Sequence, residues 1–329
     1  MRRSNQKQTL LVGAILLFAL SGISLIHLAG GIDNFVKLVS EIDSSVLVAM
    51  LFLLLAEIVK SVRLVVFSSS NGARVRLHWA IISRLVGRFF GILTPAYSGA
   101  TPARAAVIAS TSGMEAGAAF GLTTMESLFD TFLPVGVTFL LTLPLLPATW
   151  LPFLTSLFLG ILWVGGIVWA KTEKFVNFIE RRFGTKGYAC YLIRQRDHFF
   201  KSLSSIVRNR LIFTVGGTLT LVAHLLETYS IIVLSRIFIV PGTWSALEQL
   251  WKAFLALEIS NVMIMSPTPG GALFFEYGLA GVLEPSILVW WRIIYILFSL
   301  IPGLFLLLLI GRVRSYAKHV LEAEVKKCD

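Results

Sequence analysis

Charged side chains lie within long apolar segments of this sequence. An ionised residue at the centre of a membrane helix costs about 2.5–3.5 kcal/mol on insertion scales, so it is kept only when it is paired or reached by water. Arginine binds phosphate oxygens through a planar, bidentate fork, and we therefore predict a site for a phosphate-bearing group. The charges assigned to it are Arg63, Arg104, Glu126, Asp130, Glu276 and Arg292. Acidic members such as Glu276 could instead receive a cationic headgroup or carry a coupling proton.

Structural ion pairing is the alternative for some of these charges. Glu57 and Lys60 are three residues apart and could form a local pair, while Arg63 could extend its guanidinium to the cytoplasmic interface. Glu126 or Asp130 could neutralise an arginine of a neighbouring helix. This alternative applies most directly to Arg63, Arg84 and Arg88.

The composition is that of an integral membrane protein. Of the 329 residues, 56% are hydrophobic and 14% are charged, and the mean hydropathy is +0.80. Soluble domains have about 45–50% hydrophobic and about 25% charged residues. The net charge of +11 is expected to lie in cytoplasmic loops facing anionic lipids, so we predict no nucleic-acid partner. The histidines and cysteines show no metal or redox spacing, and we predict no metal and no cofactor.

Six apolar runs are long enough to cross a bilayer, which takes about 20 residues. The predicted spans are 10–29, 44–67, 113–143, 150–170, 211–239 and 286–310. Lysines and arginines flank these spans so that both termini are expected in the cytoplasm of a multi-pass cell-membrane protein. Residues 171–210 mix basic and aromatic side chains, and we interpret them as a basic cytoplasmic loop with an amphipathic surface helix.

Two shorter apolar stretches, 79–93 and 250–265, each lead into a break rich in proline and glycine. A full crossing at either stretch would place the later basic loops on the wrong side of the membrane. Each stretch is therefore expected to enter and return, the first from the cytoplasm and the second from outside. The alternative is that proline and glycine only kink ordinary spans.

The two breaks match each other at a single spacing of 172 residues. The matched positions are Thr94 with Ser266, Pro95 with Pro267 and Gly99 with Gly271. We predict an all-α polytopic membrane protein with six full spans plus two oppositely entering re-entrant hairpins, arranged as an inverted-repeat bundle. It forms a single membrane domain over 1–329, with inverted halves at 44–147 and 211–311.

Interrupted hydrophobic segments in corresponding positions of two inverted halves indicate a transport site near the membrane midplane. The break residues assigned to this site are Thr94, Pro95, Gly99, Pro267, Pro269, Gly270 and Gly271.

The second break also resembles a known signature. Residues 266–271 followed by Glu276 resemble the Pro-Thr-Pro-Gly-Gly motif and following glutamate of the lysylphosphatidylglycerol synthetase transmembrane family, also called flippase-like proteins. Weaker blocks match in order along nearly the whole chain: Arg63; Thr94, Pro95, Gly99 and Arg104; Glu126 and Asp130; and Arg292, Tyr295, Pro302 and Gly303. Two positions depart from the family pattern. Ala272 begins a segment where Gly-Leu-Gly is usual, and Ser127 stands where an arginine is common.

The resemblance implies translocation of a lipid between leaflets, with an anionic, modified or polyprenyl-phosphate-linked lipid as the substrate. We expect no aminoacyltransferase domain on this chain, so a separate lipid-modifying enzyme is a possible partner. The alternatives are an intramembrane transferase or phosphatase acting on a polyprenyl phosphate lipid, and an ion-coupled transporter of a soluble metabolite. We find no catalytic motif. His224 and Glu227 share a helix face, but a single histidine in a span is usually a packed or hydrogen-bonded residue.

Overall fold

The computed structural model describes residues 2–40, 44–143, 150–183, 188–238 and 246–309. In these ranges the chain is helical and contains no strand. The helices are α1 (Arg2–Leu28), α2 (Ile32–Ser40), α3 (Ser44–Ser69), α4 (Leu77–Leu93), α5 (Ala100–Ser112), α6 (Ala116–Thr142), α7 (Trp150–Lys171), α8 (Glu173–Phe183), α9 (Tyr188–Arg208), α10 (Arg210–Phe238), α11 (Ala246–Met263), α12 (Phe274–Leu279) and α13 (Pro285–Leu309). The predicted all-α class is confirmed.

By length and composition, five of these helices can each cross a membrane: α3, α6, α7, α10 and α13. The first predicted span meets the same requirement only when α1 and α2 are taken together, and these two helices meet at a bend of 97°. The protein is therefore a multi-pass membrane protein, with five or six apolar spans among the described residues. The tail after residue 309 and the segment 144–149 lie outside the described residues.

The first break follows α4 where the sequence predicts it. Thr94 is extended, with φ −112° and ψ 144°, as expected for a residue before a proline. Its hydroxyl donates to the Phe90 carbonyl at 2.8 Å and accepts the Gly99 amide at 2.8 Å, which satisfies backbone groups that the interrupted helix leaves open. Ala96 and Tyr97 have φ of 55° and 54°, a conformation that side chains with a Cβ rarely adopt. The chain then reverses into α5, which packs against α4.

The second break follows α11. Gly270 and Gly271 have φ of 54° and 69°, which explains the need for glycine at both positions. A Cβ on Gly271 would lie 2.7 Å from the Cα of Ile264, so the close approach of two backbone segments also requires glycine. The Thr268 hydroxyl donates to the Ala272 carbonyl at 2.6 Å and closes the loop before the short helix α12.

The two breaks contact each other directly. The Ala96 amide donates to the Ser266 carbonyl at 3.0 Å, and Pro95 pairs with Pro269 in an isolated antiparallel bridge. Two segments separated by more than 160 residues therefore form one joint. It connects the first hairpin, formed by α4 and α5, to the second hairpin, formed by α11 and α12.

Two buried apolar clusters hold the helices together. The larger one joins α1, α3, α4, α7, α10, α11, α12 and α13 and includes Leu17, Leu53, Ile92, Ile259, Phe275 and Trp291. The smaller one joins α3, α4, α5, α6 and α9 and includes Leu64, Ile108, Leu122 and Ile206. Because α3 belongs to both clusters, its polar residues are held between them.

The predicted basic loop at 171–210 contains two helices, α8 and α9. The second of them packs against α6, where the Gln195 side-chain oxygen accepts the Gly117 amide at 2.5 Å. A Cβ on Gly121 would lie 2.9 Å from the Ser202 Cβ, so the glycines of α6 allow this close approach. The helix α9 therefore contributes to the bundle as well as carrying basic residues.

Candidate functional site

A cavity of about 520 Å³ lies between the first hairpin and helices α3, α6, α7, α9, α11 and α13. One part of its wall is cationic and is formed by Lys60, Arg84, Arg88 and Arg104. Another part is apolar and is formed by one face of α7, with the lining residues Leu159, Leu162, Trp163, Gly166, Ile167 and Ala170. Their spacing of one, three and four residues is that of a single helix face. The cavity is thus amphipathic.

Helix α7 separates this cavity from the outside of the bundle. Phe158, Ile161 and Val168, on other faces of the same helix, are more than half exposed. In a membrane such a surface contacts lipid tails. One helix therefore presents apolar side chains both to the cavity and to the bilayer.

Glu57 is the carboxylate that holds the two arginines of α4. It accepts the Arg84 Nε–H at 2.6 Å on one oxygen and the Arg88 Nε–H at 2.7 Å on the other. Arg84 and Arg88 are four residues apart, so they project from the same face of α4. All three side chains are buried. The predicted local pair of Glu57 with Lys60 is wrong, because tertiary packing gives Glu57 two arginines from another helix.

Glu126 and Asp130 of α6 receive the remaining arginines. Arg63 donates to Asp130 at 2.7 Å and to Glu126 at 3.3 Å, and its other nitrogen donates to a threonine hydroxyl of α10. Glu126 also pairs with Arg84 and Arg104. Arg63 is completely buried, so the prediction that it could extend to the cytoplasmic interface is wrong. The neutralisation of arginines by Glu126 and Asp130 is confirmed.

Glu227 of α10 completes the network. It accepts the Lys60 ammonium at 2.6 Å and the second terminal nitrogen of Arg88 at 3.4 Å. The connected set contains five cations and four carboxylates, so its formal charge is +1. The cations are Lys60, Arg63, Arg84, Arg88 and Arg104, and the carboxylates are Glu57, Glu126, Asp130 and Glu227.

Three donors at the cavity have no hydrogen-bond or ion-pair partner among the residues that the structure describes. They are the Nη1 atom of Arg88, the Nε atom of Arg104 and the hydroxyl of Thr124, all buried and all belonging to lining residues. The Arg88 guanidinium also lies 5.3 Å from the Tyr295 ring centroid and 5.2 Å from that of Phe298. Because a buried unpaired donor costs about 1–3 kcal/mol, this wall is suited to receive an anionic group.

The second hairpin holds a separate ion pair. Arg292 of α13 contacts Glu276 of α12 at 2.8 Å, and both side chains are completely buried. Arg292 also donates to the Gly270 carbonyl at 3.0 Å and to the Ser21 hydroxyl at 2.8 Å, and it lies 4.4 Å from the Phe275 ring centroid. None of these residues lines the cavity.

The predicted site residues therefore fall into three places. Arg104 and Asp130 line the cavity, whereas Arg63 and Glu126 lie behind its wall in the same network. The first-break residues Thr94, Pro95 and Gly99 flank the lining segment at 96–98. The remaining predicted residues do not line the cavity: Pro267, Pro269, Gly270 and Gly271 of the second break, together with Glu276 and Arg292.

Several cavity residues were not predicted as site residues. They are Lys60, Arg84, Arg88, Tyr97, Thr124, Trp163 and Tyr295, with Glu57 and Glu227 behind them. The sequence contains one usable signal for them. Charges recur every three residues in Glu57, Lys60 and Arg63, and Arg84 and Arg88 are four apart, so both groups had to face other helices.

No three His, Cys, Asp or Glu side chains are grouped as metal ligands in the part of the chain that the structure describes. The site instead offers guanidinium, ammonium and hydroxyl donors beside an apolar wall. These groups are chemically suited to an anionic amphiphile.

The fold and the cavity define a class: a polytopic α-helical membrane protein with a cavity between its helices that is basic on one side and apolar on another. The family model described as the lysylphosphatidylglycerol synthase TM region matches residues 9–303. The chain belongs to this family, which confirms the resemblance seen at residues 266–271 and Glu276. Membership indicates a function connected with membrane lipids. No curated protein and no solved structure matches the chain.

Proposed function

We propose that the protein translocates a lipid with an anionic or modified headgroup between the leaflets of the cell membrane, without chemical change to the lipid. The observation that carries this proposal is the juxtaposition of four cationic side chains with the apolar face of α7 in one cavity. A phosphate-bearing headgroup would bind the cations, and its acyl chains would extend past α7 into the bilayer.

The size of the cavity supports a headgroup inside it and acyl chains outside it. Pockets of roughly 300–1,000 Å³ hold most of a drug-sized molecule, so a cavity of about 520 Å³ accommodates a headgroup but not two acyl chains. The lipid would therefore remain partly in the membrane throughout its movement. A soluble metabolite would not need the apolar wall that α7 provides.

The contact between the two breaks supports an alternating movement. We propose that the two hairpins enter from opposite sides of the membrane as re-entrant segments of an inverted repeat, with both termini cytoplasmic. The joint formed by Ala96 with Ser266 and by Pro95 with Pro269 then links the two halves at the depth where the chain is irregular. Irregular backbone is tolerated at membrane depth only when it is buried in protein or lines a wet cavity. A separate enzyme would supply the modified lipid.

Lipid translocation is tested in proteoliposomes by headgroup accessibility. The substrates are fluorescent phosphatidylglycerol, its lysyl ester and a short polyprenyl phosphate. The variants are Arg88→Gln and Arg104→Gln, and the matched control is Arg208→Gln at the exposed end of α9. A hydrogen bond to a charged group contributes about 1.5–3 kcal/mol, so each cavity variant should slow the transported lipid by about tenfold or more.

The wild type and Arg208→Gln are expected to move at least one of these lipids faster than protein-free vesicles do. Thermal unfolding in detergent checks that all variants remain folded. The proposal fails if no lipid moves under any gradient. It also fails if a nucleotide sugar or lipid phosphate is converted to product, because the arginines would then clamp the substrate of an enzyme.

A further inference from the structure

A buried histidine and a buried glutamate form a pair outside the cavity network. His224 of α10 and Glu258 of α11 are hydrogen bonded between Nδ1 and Oε1 at 2.8 Å. Their exposed fractions are 1% and 0%. The sequence places His224 near Glu227 on the same helix, but its partner in the structure comes from the neighbouring helix.

Three polar atoms beside this pair have no hydrogen-bond partner among the described residues. They are the Nε2 atom of His224, the Oε2 atom of Glu258 and the Oε2 atom of Glu227. Glu227 is three residues after His224, so the two side chains lie on the same side of α10. Asn261, three residues after Glu258, lines the cavity. The pair is thus within one helical turn of the site on both helices.

The buried charged groups on the elements packed against α10 and α11 are engaged with different partners. In the cavity network, Lys60 and Arg88 bind Glu227, Glu57 binds Arg84 and Arg88, and Arg63 binds Asp130 and Glu126. Outside it, Arg292 binds Glu276 and Lys252 binds Glu248. The Tyr295 ring lies against Arg88. At the junction of α9 with α10, Arg210 is fourteen residues from His224, about 21 Å along the helix. Glu258 is therefore the ionisable partner that His224 contacts.

The hydrogen-bonded imidazole and carboxylate together can hold one proton beyond that of a neutral imidazole, on either group. Histidine is the side chain whose charge ordinarily changes between pH 5 and 8. Loss of the shared proton would leave a buried carboxylate without a counter-ion, which is strongly unfavourable. Histidine and glutamate inside spans commonly mark proton pathways. Proton exchange at this pair must therefore accompany access to water or transfer to a neighbouring acceptor.

We propose that His224 and Glu258 form a proton-binding site whose proton reaches the cavity network through Glu227. The proton is taken from water, moves from the pair to the Glu227 carboxylate, and returns to water; no other reactant is required. A neutral Glu227 would release Lys60 and the terminal nitrogen of Arg88 for an incoming anion. Binding of a proton and of an anionic headgroup would then favour each other reciprocally.

The transport experiment rests on the proposed function and uses an imposed pH gradient. Wild-type proteoliposomes should show a translocation rate that changes by up to about tenfold with a gradient of about one pH unit, because one unit is a tenfold ratio of proton activity across the membrane. His224→Gln and Glu258→Gln should lose this response, whatever their absolute rates. His78→Gln, at an exposed position at the start of α4, should keep it. Wild-type translocation that is indifferent to the gradient would overturn coupling.

A second measurement does not depend on transport. Infrared difference spectroscopy of the detergent-solubilised full chain, titrated between pH 5 and 8, should show a buried carboxyl band that is absent in Glu258→Gln and altered in His224→Gln. The same band should persist in His78→Gln. If the band is unchanged in Glu258→Gln, the proton site is refuted. If the band behaves as expected but no lipid moves, the proposed function fails while the proton site stands.

Discussion

The two hairpin breaks use the same backbone device but place opposite charges beside it. Each break combines proline and glycine with residues of positive φ, and the two breaks bond to each other. Arg104 follows the first break and Glu276 follows the second, at the same spacing of 172 residues that relates the prolines. Arg104 faces a cavity, whereas Glu276 is enclosed by protein.

The balance of charges explains the difference between the two regions. In the first, five cations share four carboxylates, so one positive charge and a free Arg88 donor remain for a ligand. In the second, one cation matches one carboxylate, and Arg292 uses its other nitrogens on Gly270 and Ser21. We infer that the first region binds the substrate and the second holds the break in position.

The largest expected effect is on stability, in the second region. Arg292→Leu leaves Glu276 buried without a counter-ion, and removal of one partner from a buried pair costs about 3–5 kcal/mol. Adding Glu276→Leu should recover a large part of this loss, because apolar replacement of both partners is often nearly neutral. The measurement is the free energy of unfolding in detergent.

Lys252→Gln is the matched control, because it breaks an exposed pair with Glu248 and should cost under about 1 kcal/mol. If Arg292→Leu leaves the free energy of unfolding unchanged and abolishes translocation, the structural role of the second region is contradicted. Arg292 would then act on the substrate, as the sequence predicted.

A smaller effect is expected from the glycines that occupy equivalent positions in the two breaks. Gly271 has φ 69° and Gly99 has φ −76°. Gly271→Ala therefore adds backbone strain to a steric clash and should cost about 2 kcal/mol or more. Gly99→Ala adds a steric clash alone, because its Cβ would lie 2.9 Å from the Phe90 carbonyl oxygen and the Thr94 hydroxyl. Unfolding in detergent ranks the two variants.

Gly113→Ala isolates the backbone term, because Gly113 has φ 70° and open space around it. It should cost about 1 kcal/mol. Equal losses for Gly99→Ala and Gly271→Ala would show that the conformational difference between the two breaks is energetically unimportant.

The smallest expected effect is on lipid binding, when one more positive charge is added to the cavity. Ser127 lines the cavity and contacts Thr101 at 3.0 Å and Arg104 at 3.4 Å. Ser127→Arg adds a donor for an anion, and one charge-assisted hydrogen bond of about 1.5 kcal/mol should tighten binding of short-chain phosphatidylglycerol about tenfold.

The measurement is quenching of the lining residue Trp163 by a brominated form of that lipid, with Trp163→Phe as the subtraction. Ser69→Arg, at the exposed end of α3, is the control for non-specific attraction. Equal tightening in both arginine variants would mean that the added charge acts at the membrane surface rather than in the cavity.

Much of the fold is legible in the sequence. The length of each apolar segment predicts the spans, and Thr94-Pro95 and the glycines at 270–271 predict the two breaks. Both predictions succeed because hydropathy and backbone restrictions are local properties. Arg104 and Asp130 of the cavity were also found in this way. Arg84 and Arg88 were noticed but not assigned to the site, because their spacing shows a common face without showing what lies opposite.

By itself, the sequence determined that this is a helical membrane protein, where its spans and breaks lie, and that costly charges must be satisfied within it. Only the tertiary structure decided which charges meet. A local pair of Glu57 with Lys60 was one alternative, but Glu57 binds Arg84 and Arg88, and Lys60 binds Glu227, which is 167 residues further along the chain. Ion pairing depends on distances of a few ångströms between helices, which no local pattern encodes. The same reason separates Arg104, in the cavity, from Glu276, enclosed with Arg292.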